Sequence, residues 1–406
     1  MYGDTHDGTD GGTHDDWRRV PDVAVAGLGL TELGKVYDRT ASQFAVEAVH
    51  AAAADAGIGL DEIDGLLINP GITRGIGLPL QRDLALRDLR LLAELQSYGS
   101  SAGVMLAQAA MAIGSGTASV VACVFADAPL RAGGSTGDAY VDPALRVRPG
   151  FAGMAAAGGL LGPNVGYALA ARRHMDRFGT TSEQLGAIAV STREWAMRNP
   201  LAQLRKPMTL ADHQSSRWIV EPLHLLDCCL VSNGAIAVLV TSGERARSLR
   251  RPPVYLHGWG QGHPGYPDRA DSEFGLVTGA RQSGRAALAM AGVTPEQIDV
   301  REIYDCYTFT TLVTLEDYGF CAKGEGGALA ESGALAPGGA LPTNTGGGQL
   351  SGYYMWGMTP LSEAVIQARG DGGDRQVRKH DLILVSGNGG VLDYHSTLVL
   401  SPHRRD

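Results

Sequence analysis

Two segments of this chain repeat each other far apart in sequence, and that repeat limits the folds open to it. Ala56-Gly57-Ile58-Gly59-Leu60-Asp61-Glu62-Ile63-Asp64 matches Ala291-Gly292-Val293-Thr294-Pro295-Glu296-Gln297-Ile298-Asp299. Each copy follows an Ala-rich helical segment, Ser42–Ala56 and Gly284–Ala291. Each leads into a short apolar strand, Gly65–Asn69 and Val300–Tyr304. So long a spacing signals a duplicated domain, because solenoid repeats recur every ~20–50 residues. Later landmarks correspond as well. The helical stretches Ala102–Ile113 and Pro360–Ala368 each precede a branched, apolar strand, Ser119–Phe125 and Asp381–Ser386. Helices alternating with apolar strands give a layered α/β architecture.

The halves are expected at 20–250 and 251–406, meeting around Arg247–Pro253. Residues 127–220 break the alternation and contain an amphipathic helix near Asn164–Phe178, so they read as an insertion over the active site. Residues 1–19 form an acidic tail with nothing apolar to bury. With 406 residues and 44% hydrophobic composition the chain can fill more than one core. A net charge of −9 without a basic stripe excludes a nucleic-acid binder. No apolar run approaches the ~18 residues of a membrane helix. Five cysteines without framework spacing point to a reducing cytoplasm. No cluster of His, Cys or Asp has metal-ligand spacing, so no metal site is expected.

The block Asn344-Thr345-Gly346-Gly347-Gly348-Gln349-Leu350-Ser351-Gly352-Tyr353-Tyr354-Met355-Trp356-Gly357 carries the functional signal. It resembles the N-x-x-G-G-x-x-S-x-G-H-P-x-G motif of sterol-carrier-type thiolases, with Tyr353-Tyr354-Met355 where Gly-His-Pro is usual. Four further passages resemble that superfamily in order. They are Ala24–Gly29 (opening strand and turn), Ser100–Gly103 (nucleophile turn), Asp227–Ala235 and Glu302–Tyr307. The resemblance covers residues 20–402. It implies the thiolase fold, two mixed five-stranded sheets in an αβαβα arrangement.

The family's usual chemistry does not follow. Thiolases activate a cysteine at a helix N-terminus. The aligned residue here is Ser100, with Gly99 before it. The C-terminal Cys-x-Gly is replaced by Ser386-Gly387-Asn388-Gly389-Gly390. Tyrosines stand instead at two motif positions, Tyr304 and Tyr354. This pattern is similar to the thiolase-like aldolases of bacterial steroid side-chain degradation. Those enzymes cleave a β-hydroxyacyl-CoA thioester to a ketosteroid and propionyl-CoA, together with a DUF35 partner made of an OB-fold and a zinc ribbon.

The resemblance implies Tyr304 and Tyr354 as acid and base, their phenols pulled toward neutral pKa by hydrogen-bond donors. Which is base and which is acid stays open. Asp305 either orients Tyr304 or caps a turn. Backbone N–H groups at Ser100 or at Gly389–Gly390 are candidates for the enolate oxygen. Tyr353 is a candidate substrate contact. His263 is a loop histidine with a substrate-lining role in reserve. No cofactor is expected in this chain, zinc belonging to the partner. A homodimer pairing through Ser119–Phe125 as an edge strand is expected. It would bind two DUF35 proteins to give a heterotetramer, with His257–Phe274 as a contact surface. A thiolase-like acyltransferase and a non-catalytic acyl-CoA- or lipid-binding subunit are the alternatives.

Overall fold

The computed structural model describes residues 20–139, 153–160, 162–265 and 273–405. The expected acidic tail, part of the insertion and the centre of the 257–274 stretch lie outside them.

Nine strands make one mixed sheet: β1 (Val23–Leu30), β2 (Gly65–Asn69), β3 (Leu91–Glu94), β4 (Val120–Asp127), β5 (Gly234–Ser242), β6 (Val254–Gly262), β7 (Val300–Glu302), β8 (Ile383–Gly389) and β9 (Tyr394–Ser401). Their spatial order is β3-β2-β4-β5-β1-β6-β9-β8-β7. The first five strands form one half, with β2 parallel to both β3 and β4 and the rest antiparallel. The second half repeats this with β7 parallel to β8, then β9 and β6 antiparallel. It has four strands instead of the expected five. Where the fifth would run, a lone parallel bridge joins Arg301 to Thr343. The halves meet at a narrow antiparallel seam, Ala24 opposite Tyr255 and Val25 opposite Val254.

The helices that matter here are α1 (Ala41–Ala56), α2 (Ser101–Gly114), α3 (Pro163–Phe178), α4 (Ser182–Ala196), α5 (Ala280–Ala291), α6 (Thr308–Tyr318) and α7 (Met358–Arg369). Helix α2 touches β2 and β8, and α7 touches β1 and β7. Those strands stand far apart in the strand order, so the sheet folds back at the seam and encloses both helices. With α1 outside one half and α5 outside the other, the layers run αβαβα.

Why α1 and α5 lie so close is written in glycine. A Cβ on Gly27 or Gly29 would stand 2.2 or 2.0 Å from carbonyl oxygens of α1. On Gly258, Gly260 or Gly262 it would stand 2.1–2.2 Å from carbonyl oxygens at α5. The Gly27-Leu28-Gly29 pair, expected at a turn, is therefore inside a strand.

The sequence repeat is also a structural one. Gly57 and Gly292 end α1 and α5 in the left-handed region, at φ 75° and 70°. The carboxylate of Asp64 accepts the Ser119 and Val120 amides at the start of β4, both at 2.8 Å. Asp299 likewise accepts the Leu382 amide ahead of β8 at 3.0 Å.

One expectation is overturned. Ser119–Phe125 is not an edge strand. Every residue of β4 is buried, and β4 is paired on both sides, by β2 and β5. A continuous apolar run of this kind marks a strand covered on both faces. The free edge of the first half is β3, whose residues are only partly covered.

Losing a half-buried carboxylate that holds strand amides costs about 1 kcal/mol. Asp64→Ala should therefore lower stability in urea by that amount. Asp61→Ala, at an exposed neighbour, should change it little.

Candidate active site

Tyr304 and Tyr354 come together. Their hydroxyls are 3.0 Å apart, and the rings meet edge to face with centroids 6.5 Å apart. Tyr304 follows β7, its amide donating to Ser386 Oγ on β8 at 3.0 Å. Tyr354 is placed by its amide, which donates to Ser232 Oγ at 3.0 Å. Ser232 is itself held by Gln203 Nε2 at 2.6 Å. Tyr304 is 3% exposed and Tyr354 9%, so the pair is nearly dry and Tyr354 is the more accessible member.

For Tyr304 the phenol pKa expectation is reversed. Burial pushes Tyr304 well above its ordinary value, and the nearby Cys306 adds to this, while the hydrogen bond from Tyr354 opposes it. Tyr304 is a neutral phenol at physiological pH.

Position 99, not 100, faces the pair. A Cβ on Gly99 would lie 2.2 Å from Cε2 and Cζ of Tyr304 and 2.2 Å from the Asn388 carbonyl oxygen. The tip of the Tyr304 ring fills the space where a side chain at the start of α2 would stand. Ser100 is spent locally. Its hydroxyl donates to Ser97 O at 2.8 Å and its amide to the same oxygen at 3.2 Å. It offers the site neither a nucleophile nor an amide donor.

The glycine block forms a wide turn over Gly348–Gly352, and Asp305 is its post. The Asp305 carboxylate accepts the Gln349 amide at 2.7 Å and the Leu350 amide at 3.4 Å. A Cβ on Gly348 would sit 2.0 Å from that carboxylate. Asp305 is thus the turn cap of the two readings, and it reaches Tyr354 through the backbone it holds. Asn344, at φ 54°, accepts the Ile303 amide at 2.7 Å and ties the block to β7. The insertion holds the other side. Arg193 Nε donates to Ser351 Oγ at 2.8 Å, and Asn199 Nδ2 donates to Gly346 O at 2.8 Å.

The remaining expected residues scatter. Tyr353 is buried with its hydroxyl on Ser362 at 2.9 Å, away from the Tyr304–Tyr354 pair. Gly389 packs on Ser97 and Tyr98, and Gly390 against the Tyr394 ring, so this turn does border the α2 entrance. His263 is exposed, its ring 5.7 Å from that of Tyr394.

The structure adds residues that the motifs do not mark. Tyr167 of α3 stacks on Tyr307 with ring centroids 4.5 Å apart, and its hydroxyl accepts from Asn388 Nδ2 at 3.2 Å. The insertion therefore covers the pair from behind. The buried face of α3, Tyr167-Ala168-Ala170-Ala171-His174, is visible as helical spacing in the sequence. Nothing in that spacing says what the face covers. The nearby Cys306 thiol is pushed up to about 12 by burial, and Cys229 is raised well above its ordinary value for the same reason. Neither is a ready nucleophile. Among the described residues no group of three or more His, Cys, Asp or Glu side chains could hold a metal ion.

Comparison with known proteins gives the family. Residues 260–402 match the thiolase C-terminal domain-like family. A steroid side-chain-cleaving aldolase of Thermomonospora curvata is 38% identical over 90% of this chain and 95% of the relative. The 17-hydroxy-3-oxo-4-pregnene-20-carboxyl-CoA lyase of Mycobacterium tuberculosis is 36% identical over 90% and 96%. Among solved structures, an Ltp2–ChsH2(DUF35) aldolase superposes with TM-score 0.83 at 36% identity, over 95% of this chain and 100% of that one. The fold is that of the thiolases. The chain belongs to the thiolase superfamily, in its branch of steroid side-chain-cleaving aldolases.

Burial raises the Asp305 carboxyl from 3.8 to about 7, against the opposing hydrogen bond from Gln349. Between those values the folded chain keeps a proton that the unfolded chain has released. The stability contributed by this group is therefore full below about pH 4 and is lost as pH rises through about 7. Asp305→Asn should flatten the fall in stability across that window, measured by urea denaturation at a series of pH values.

Proposed function

We propose that the Tyr304–Tyr354 pair performs the retro-aldol cleavage of a steroid β-hydroxyacyl-CoA thioester, giving a ketosteroid and propionyl-CoA. The observation that carries this reading is the 3.0 Å contact between two buried phenols at the entrance to α2, where no nucleophile stands. The relatives' activities, cleavage of a steroid side chain and of a pregnene carboxyl-CoA, supply the substrate class.

A Tyr304 phenol raised well above its ordinary pKa sets the form of the reaction. The substrate β-hydroxyl gives its proton to the Tyr304 oxygen, and Tyr304 passes its own proton to Tyr354. As the Cα–Cβ bond breaks, its electron pair enters the thioester as an enolate, and Cβ becomes the ketone carbon. Tyr354, the more accessible phenol, delivers its proton to Cα. Each phenol ends the cycle with the proton count it began with, so no Tyr304 phenolate need exist beforehand. The enolate oxygen is assigned to the Gly389–Gly390 turn, because the Ser100 amide is already committed. Asp305 is a positioning residue for the block that carries Tyr354. Proton transfer and oxyanion stabilisation suffice for this cleavage, so we assign this chain no metal, nucleotide or flavin.

Acyl transfer is the weaker reading. Position 99 has no side chain, and the thiols nearby are held protonated by burial. The five free cysteines fit a cytoplasmic enzyme.

Losing one general acid or base typically costs ~10²–10⁴ in rate. Tyr304→Phe and Tyr354→Phe should each lose turnover by that factor while still binding acyl-CoA. Gly99→Ala, which displaces Tyr304, should do the same, and Tyr353→Phe should be mild. Near-normal turnover in both pair variants would refute the relay.

The solved Ltp2–ChsH2(DUF35) aldolase motivates the assembly. This chain dimerises through the β3 edge, since an open edge of partly apolar residues invites a second strand. The dimer takes up two DUF35-type partners to make a heterotetramer. Light scattering of the co-purified proteins should give a two-plus-two mass. A stable monomer at micromolar concentration would contradict the dimer.

A further inference from the structure

A row of aromatic rings runs from Trp356, close to Tyr354 in sequence, to the wall of a separate cationic cavity. Trp356 lies two residues beyond Tyr354. Its ring centroid is 6.0 Å from that of Tyr98, which is 6.0 Å from Tyr394, which in turn is 5.7 Å from His263. Tyr98 is 49% exposed although it lies between two rings. Both Tyr98 and Trp356 adopt positive φ, 53° and 47°. Bulky side chains rarely adopt that conformation, and it persists where surrounding structure enforces it, often at ligand sites.

His263 is the far end of this row and also part of the wall of a cavity of about 600 Å³. The other walls include Thr278, Arg281, Gln282 and Arg285. Arg281 and Arg285 are one turn apart on α5 and so share a face. Arg281 has only a loose contact, 3.8 Å, with Asp317, whose carboxylate is held more closely by Lys323 at 2.8 Å. Among the described residues Arg285 has no ion pair. The cavity thus has two guanidinium groups with unspent donors, a histidine and an amide side chain. Guanidinium forks suit phosphate oxygens.

We infer that this cavity binds the phosphates of the CoA moiety, with the flexible arm of the thioester lying along Tyr394 and Tyr98 and the acyl end at the tyrosine pair. This deepens the proposed function and rests on its substrate being a CoA thioester. It also gives His263 a place, as the hinge between the aromatic row and the cationic wall.

The test is calorimetric binding of CoA, dephospho-CoA and a phosphate-free pantetheine thioester to the full chain. Charge-assisted hydrogen bonds to phosphate are the stronger kind, so Arg281→Gln/Arg285→Gln should weaken CoA binding by roughly 10- to 100-fold. The pantetheine thioester should bind the variant and the original chain alike, which also shows that the variant is folded. Arg245→Gln, at an exposed pair with Glu62, should leave CoA binding unchanged. Unaltered CoA affinity in the double variant overturns the inference. So does an equal loss for the phosphate-free thioester, or loss of partner assembly with CoA affinity intact. Binding is read without turnover, so failure of the cleavage reaction would refute the proposed function and leave this result standing.

Discussion

The site depends on one packing decision, the phenol ring of Tyr304 lying over Gly99. A side chain at position 99 and a tyrosine at 304 cannot coexist, because the ring atoms lie 2.2 Å from where a Cβ would be. The start of α2, where a helix dipole would favour a thiolate, is occupied by a neutral hydroxyl. The same ring is backed by the Asn388 carbonyl and meets Tyr354 through its hydroxyl. Dry packing pushes the Tyr304 phenol well above its ordinary pKa, and that is what makes a concerted relay a better account than a preformed base at Tyr304.

The scaffold around this contact is built to hold loops still. Asp305 fixes the glycine block from below, Asn344 ties it to β7, and Arg193 and Asn199 of the insertion region close it from the side. Tyr354 inherits its position from all of these and from Ser232. The insertion is anchored in turn by buried polar contacts, such as His174 of α3 with Glu316 of α6 at 3.0 Å.

Much of the fold was legible in the sequence because it rests on local rules. The repeat around Gly57 and Gly292 predicted equivalent strands, and Asp64 and Asp299 do perform the same capping. Helix limits differ by a few residues, as with Gly284–Ala291 read for a helix that starts at Ala280. Strand order was not legible. Ser119–Phe125 has the apolar run of an interior strand, and only the pairing with β2 and β5 shows it is not an edge. At the site, Tyr304 and Tyr354 are legible as candidates because they sit on motif positions, and the structure brings them together. Gly99, Tyr167 and Asn388 were missed, since a glycine's missing side chain and a buried helix face gain meaning only from what packs there. Tyr304's raised pKa was missed for the same reason, because burial is a property of the assembled layers.

The central claim is that cleavage proceeds through proton transfer to carbon with no covalent enzyme adduct. A single turnover in deuterium oxide, quenched and read by mass spectrometry on both protein and acyl-CoA product, tests it directly. The account predicts one deuterium on the α-carbon of the propionyl group and an unmodified protein mass. An acylated protein, or a propionyl product without deuterium, would contradict it.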